Sequence, residues 1–203
     1  MSESRGSPPD APCDPPGSLG SIDLDATQAQ KVAWFTRCFR PHFESWVFKP
    51  IDRLIRSEDA LVAFILMSCA IDYLAGFWWG GSTKGRAGPA YKRFVRRYFP
   101  EGRYDADGLW ESLRNGLLHL FTIKGRRYAL THGNPRVHLQ VTSSGQEMLN
   151  AQDFLNDLKA AAAAYFADVE ADPLLLQKLV ERYSREGFLA EVQMEVSVPQ
   201  EEP

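Results

Sequence analysis

Apolar residues recur at helical spacing along most of this chain. Val32, Phe35, Phe39 and Phe43 fall at threes and fours, which predicts helix from Asp25 to about Ile55, divided or kinked at Pro41 and Pro50. Ser57 is a candidate N-cap, with Glu58 and Asp59 favourable in the first turn of a second helix, Ala60 to Trp79, that is apolar almost all round. The run Gly80-Gly81-Ser82-Thr83-Lys84-Gly85 reads as a loop, and Pro89 opens a short helix, Ala90 to Phe99, that Pro100 ends. Asp105 or Asp107 caps the next helix, which runs to about Phe121 before a turn at Lys124-Gly125-Arg126. Tyr128 to Thr131 and Arg136 to Thr142 bracket His132-Gly133-Asn134-Pro135, which predicts a β-hairpin. Asn150 caps an Ala-rich helix to about Val169, and Asp172-Pro173 begins the last. The pattern predicts an all-α helical bundle with one inserted β-hairpin.

Length and composition narrow the class. A chain of 203 residues can bury one good-sized core. Residues 1–22 are rich in Pro, Ser and Gly and read as a disordered leader, 23–190 as a single helical domain, and 191–203 as an acidic flexible tail. The net charge of -3 argues against a chain built wholly as a nucleic-acid sleeve, though a local basic surface remains compatible with it. Cys13, Cys38 and Cys69 lie far apart with no C-x-x-C pair, which argues against a disulfide scaffold or zinc site and for a reducing, cytoplasmic setting. No secretory h-region is present in the leader. Ala60 to Trp79 is long enough to span a bilayer, but Asp72 interrupts it and acids rather than lysines flank its start. A buried central helix is the expectation, without membrane association.

The chemistry concentrates in Leu113-Arg114-Asn115-Gly116-Leu117-Leu118-His119-Leu120. An arginine neutralises phosphate charge with a planar, permanently charged fork, and an imidazole moves protons near neutral pH. Asn115 and His119 are four apart and share a helix face. Arg114 and His119 are five apart, about 140° around an ideal helix, so they converge only if the arginine curls round, the helix ends early or a second protomer faces the first. Gly116 removes side-chain bulk where another backbone could approach. With RNA bound, His119 would serve one or both proton transfers, Arg114 would stabilise charge on phosphate oxygens, and Asn115 would orient either. That chemistry calls for no metal and no other cofactor. The structural alternative pairs Arg114 with a buried acid such as Asp72 and leaves His119 as a core or helix-end histidine.

Arg114-Asn115-x-x-x-His119, late in an all-α chain and preceded by Leu109-Trp110-Glu111-Ser112-Leu113, resembles the R-x4-6-H motif of the HEPN superfamily, where a polar residue, often Asn, follows the arginine. The resemblance covers a handful of residues on one helix and, beyond that, only the helical architecture. It implies a HEPN-like bundle, metal-independent endoribonuclease activity with Arg114 and His119 catalytic and Asn115 in support, and a homodimer with a composite site. It also implies a toxin or defence effector whose partners are RNA and a cognate antitoxin or regulator. The superfamily has members without nuclease activity, so the other implied class is a non-catalytic module that binds a partner protein or nucleotide.

Other residues alter this picture less. Lys92, Arg93, Arg96 and Arg97, interleaved with Phe94 and Tyr98, together with Arg126 and Arg127 after the cluster, are candidate nucleic-acid contacts; a solvated helix face would look the same. Asp72 is expected to be a structural acid paired with an arginine. Gly76-x4-Gly81-Ser82-Thr83 has serine where a Walker A loop needs lysine and follows a helix rather than a strand, so it is not read as a nucleotide loop. His42, His132 and His138 lack ligand spacing and read as surface or turn residues, and Trp78 and Trp79 as core or interface anchors.

Overall fold

The computed structural model describes residues 22–133 and 135–187. The predicted leader, but for Ile22, and the predicted tail lie outside the described residues. The described chain is mostly helical, with one small two-stranded parallel sheet.

Thr27 starts α1 (Gln28–Trp34) with a capping box: its hydroxyl accepts from the Gln30 N–H, and the Gln30 side chain accepts from its own N–H. The helical path then continues through a π segment (Phe35–Phe39), α2 (Arg40–Phe43), a further π segment (Glu44–Phe48) and α3 (Lys49–Arg56). Pro41 and Pro50 therefore do not divide the helical path, one of the two outcomes expected of them, but sit at changes of helix geometry. Each follows directly on a π turn, closed by the Arg40 N–H on the Phe35 carbonyl and the Lys49 N–H on the Glu44 carbonyl. The wider turn gives the pyrrolidine ring room that the carbonyl of an α-turn would occupy.

Ser57 is not the cap of the next helix. Its N–H and its hydroxyl both bond the Arg53 carbonyl and so close α3, while Glu58 turns the chain at φ 65°. Asp59 then precedes α4 (Ala60–Trp79), which packs against α3, α5 (Ala87–Tyr98), α8 (Ala151–Ala171) and α9 (Pro173–Glu186). By length and composition α4 could cross a membrane, and 56% of its most apolar window is buried by these neighbours. The core is aromatic: Phe35, Phe39, Phe43, Phe77 and Phe166 pack ring on ring between the first helical path, α4 and α8. Each buried ring contributes roughly 1.5–3 kcal/mol over its exposed state.

Asp105 accepts the Asp107 N–H and opens α6 (Ala106–Gly108), a π segment (Leu109–Arg114) and α7 (Asn115–Leu120) in one path that ends with Phe121 in the left-handed region. The predicted β-hairpin is wrong. β1 (Tyr128–Thr131) pairs in parallel with β2 (Glu147–Asn150), in register from Tyr128↔Glu147 to Thr131↔Asn150. Residues expected to form the return strand instead begin with the 3-10 turn Pro135–Val137, and the tight reversal comes later, where Gly145 takes φ 79° and its N–H bonds the Thr142 carbonyl. The connection 132–146 is long enough for the crossover that parallel strands require. Asn150 ends β2 and caps α8, accepting from the Gln152 and Asp153 N–H groups, and Asp172 caps α9 through the Leu174 N–H.

Cys69 is a free thiol, whereas Cys38 is in a disulfide, a bond that the wide spacing of the cysteines does not announce.

Candidate active site

The π segment Leu109–Arg114 leads directly into the Arg114 cluster. Its last turn is closed by the Asn115 N–H on the Trp110 carbonyl, and α-geometry resumes at Asn115. Arg114 curls round the helix, and its Nη1 donates to Asn115 Oδ1 at 3.1 Å and to His119 Nε2 at 3.1 Å. Its Nη2 donates to Asp72 Oδ2 on α4 at 2.5 Å. The expected pairing of Asp72 is thus present, and so is the convergence that ideal helix geometry does not provide. Side-chain exposures of 16% for Arg114 and 26% for Asp72 leave the pair at the edge of the core, open on one side. A guanidinium has no acceptor, so His119 Nε2 must be the unprotonated nitrogen and Nδ1 carries the hydrogen. His119 is exposed at the end of α7, next to exposed Leu120 and Phe121.

Gly116 has a local cause. A Cβ there would overlap the Thr122 carbonyl oxygen and lie 2.8 Å from the Lys124 nitrogen. The approaching backbone is the chain's own, held by the Thr122 N–H on the Gly116 carbonyl. This contact folds the basic turn back onto the motif helix.

Beneath the cluster lie residues that the sequence reading did not single out. The Arg114 guanidinium sits 4.6 Å above the Trp110 ring, and Trp110 packs on Tyr91 of α5 with centroids 5.3 Å apart. Tyr91 is wholly buried and its hydroxyl has no hydrogen-bond partner. Burial, followed by the negative charge of Asp72, pushes the Tyr91 phenol far above its ordinary range. Burial also raises the Cys69 thiol, one turn before Asp72, with the Asp72 charge adding to it and Arg114 opposing. Trp110 and Arg114 are four positions apart, a helical-face spacing legible in the sequence.

The basic residues do not form one free surface. Lys92 bonds Asp107 at 2.8 Å and Glu111 at 3.5 Å, and Arg96 also pairs with Asp107. The hydrogen bond between them raises the Lys92 ammonium and lowers the Asp107 carboxyl from their ordinary values. Arg127 pairs with Asp105, so Lys92, Arg96 and Arg127 gather around the acidic start of α6. Arg97 reaches Asp168 of α8 at 3.0 Å, and Arg93 lies 5.5 Å over the Trp79 ring. Arg126 is exposed and, with Arg127, Ser112, Gly125, Ser144, Gly145 and Gln146, lines an open cleft of about 600 Å³.

His138 is not a surface residue: its side chain is 4% exposed. Asn150 N–H donates to its Nδ1 at 3.1 Å, its Nε2 meets the Tyr104 hydroxyl at 2.9 Å, and that hydroxyl donates to Asp157 at 2.6 Å. These partners come from distant parts of the chain, so no spacing could announce them. Among the described residues, no three His, Cys, Asp or Glu side chains converge as metal ligands.

No family model, no curated protein and no solved structure matches the chain.

Proposed function

We propose that this protein is a HEPN-like, metal-independent endoribonuclease in which Arg114 and His119 cleave RNA, with Asn115 in support. The observation that carries the reading is the 3.1 Å contact between Arg114 Nη1 and His119 Nε2 at an exposed helix end. It joins a phosphate-binding group to an imidazole, the two functions that transesterification needs. A phosphate arriving at the open side competes for Nη1 and releases His119 Nε2. His119 then takes the proton of the ribose 2′-OH while its oxygen attacks phosphorus. The bond to the 5′ oxygen breaks, and an imidazolium returns the proton to that leaving oxygen. The products are a 2′,3′-cyclic phosphate and a 5′-hydroxyl.

A homodimer belongs to the same reading, since a two-fold axis near exposed Leu120 and Phe121 would bring two such clusters together. A toxin or defence role in the cytoplasm, under an antitoxin or other regulator, belongs to it too. A second reading is a non-catalytic HEPN-like module that binds a partner protein or nucleotide. It is favoured by the internal ion pairs of Lys92, Arg96 and Arg97 and by the Asp72 pairing of Arg114.

The deciding experiment is cleavage of a broad RNA pool in excess EDTA by the wild type and His119→Ala at equal concentration. Cleavage lost in the variant, with its melting curve unchanged, supports the nuclease. No cleavage by either favours the binding module, and equal cleavage by both overturns the role of this cluster.

A further inference from the structure

We propose that Trp110 is the positioning residue for Arg114, and that the basic helix α5 acts on the site through it. Where this concerns cleavage it rests on the ribonuclease reading; where it concerns the Arg114–His119 contact it stands without it.

Arg114 is held by its tips alone. Nη2 meets a single oxygen of Asp72, and Nη1 is shared between Asn115 and His119. Its Nε is buried with no hydrogen-bond partner. A carboxylate that grips a guanidinium through two parallel bonds fixes its plane, whereas a one-oxygen grip leaves rotation about that bond. The Trp110 face, 4.6 Å below the guanidinium carbon, removes this freedom, because stacking favours one orientation of the plane. In that orientation Nη1 points to His119.

Trp110 is itself seated by α5. A Cβ on Gly88 would stand 3.0 Å from both Cε2 and Nε1 of the indole, so the ring lies directly against bare α5 backbone. Tyr91, also on α5, packs on the same ring with centroids 5.3 Å apart. On the solvent side, Lys92 and Arg96 tie α5 to Asp107, and Lys92 also reaches Glu111, so α5 is bonded to the chain on either side of Trp110. These cations hold the support beneath Arg114 in place.

The test is the ring 15N spectrum of His119 in the full-length protein at about pH 8, where imidazoles are neutral. The wild type shows the Nδ1–H tautomer at His119, because Nε2 accepts from Arg114; the signal is assigned by its absence in His119→Ala. Trp110→Leu is expected to release Nε2 and move His119 toward the Nε2–H tautomer. Trp110→Phe, which keeps an aromatic face, retains the wild-type pattern. Gly88→Ala crowds the indole without removing it and shifts His119 in the same direction by less. His138, which accepts at Nδ1 from the Asn150 N–H, reports in the same spectrum that the fold persists. Should Trp110→Leu lose the His138 pattern as well, Gly88→Ala decides. An unchanged His119 pattern in a folded Trp110→Leu or in Gly88→Ala overturns the proposal. If the wild type cuts RNA, Trp110→Leu lowers kcat by about 100-fold with little change in KM, and Trp110→Phe recovers most of it. A wild type that does not cut defeats the ribonuclease reading and leaves the tautomer result to decide this one.

Discussion

His138 is buried as a neutral ring. Burial holds it below the ordinary imidazole range; the charges of Asp153 and Asp157 push the other way, and Arg103 reinforces the burial. Protonation at Nδ1 would also break the bond from Asn150 N–H, at the residue that caps α8. Because the folded-state value is depressed, the stabilisation is complete above the unfolded value of about 6.5 and is lost as pH falls through the lower folded value. Urea midpoints measured between about pH 8 and pH 5 should therefore fall toward acid in the wild type, and His138→Gln should flatten that part of the profile. A variant with the same slope would assign the acid sensitivity to other groups. The sequence reading placed His138 at the surface because nothing in its neighbours along the chain announces Tyr104 or Asp157. Asp72 was different: a carboxylate among Ile71, Tyr73 and Leu74 must have a partner, and the arginine five residues before His119 is the one it has.

Elements were legible where local chemistry fixes them and misread where it does not. Asn150 and Asp172 cap helices as their side chains predict, since a cap depends on residues two or three away. Prolines within helical spacing predict a division or a kink, and apolar periodicity carries no mark of the π turns that accommodate them without dividing the path. The strand at Tyr128–Thr131 was found, but its partner was not, since strand pairing is a non-local choice. Gly116 joins the scales. Replacing it by Ala favours helix by about 1 kcal/mol, yet drives a methyl into the Thr122 carbonyl, and backbone overlap outweighs that gain. Gly116→Ala should lower stability by about 1–3 kcal/mol in thermal or urea unfolding and raise amide exchange through residues 121–127. An unchanged or raised melting temperature would show that this turn is not clamped to α7.

Across the whole molecule, the aromatic core ties the first helical path to α4, α8 and α9. Phe39 has no exposed surface and touches Phe35, Phe43, Phe77, Phe166 and Tyr183. Its replacement by Ala should cost about 3–5 kcal/mol, a large share of the ordinary 5–15 kcal/mol of domain stability, measured as a fall in urea midpoint. A cost under about 1 kcal/mol would mean that the first helical path is not part of the cooperative core.

The helical class, the caps at Asn150 and Asp172, the central apolar helix and the helix that carries Arg114, Asn115 and His119 are all legible in the sequence alone. Each of these is written in residues a turn or two apart. Only the tertiary structure decided that Arg114 meets His119 rather than pointing away from it. The reason is physical: ideal helix geometry separates the two side chains, and a carboxylate from α4 and an indole seated on α5 supply the contacts that draw them together. Tertiary packing likewise spent most of the basic residues of α5 on neighbouring acids, because opposite charges brought close by the fold pair before any ligand arrives.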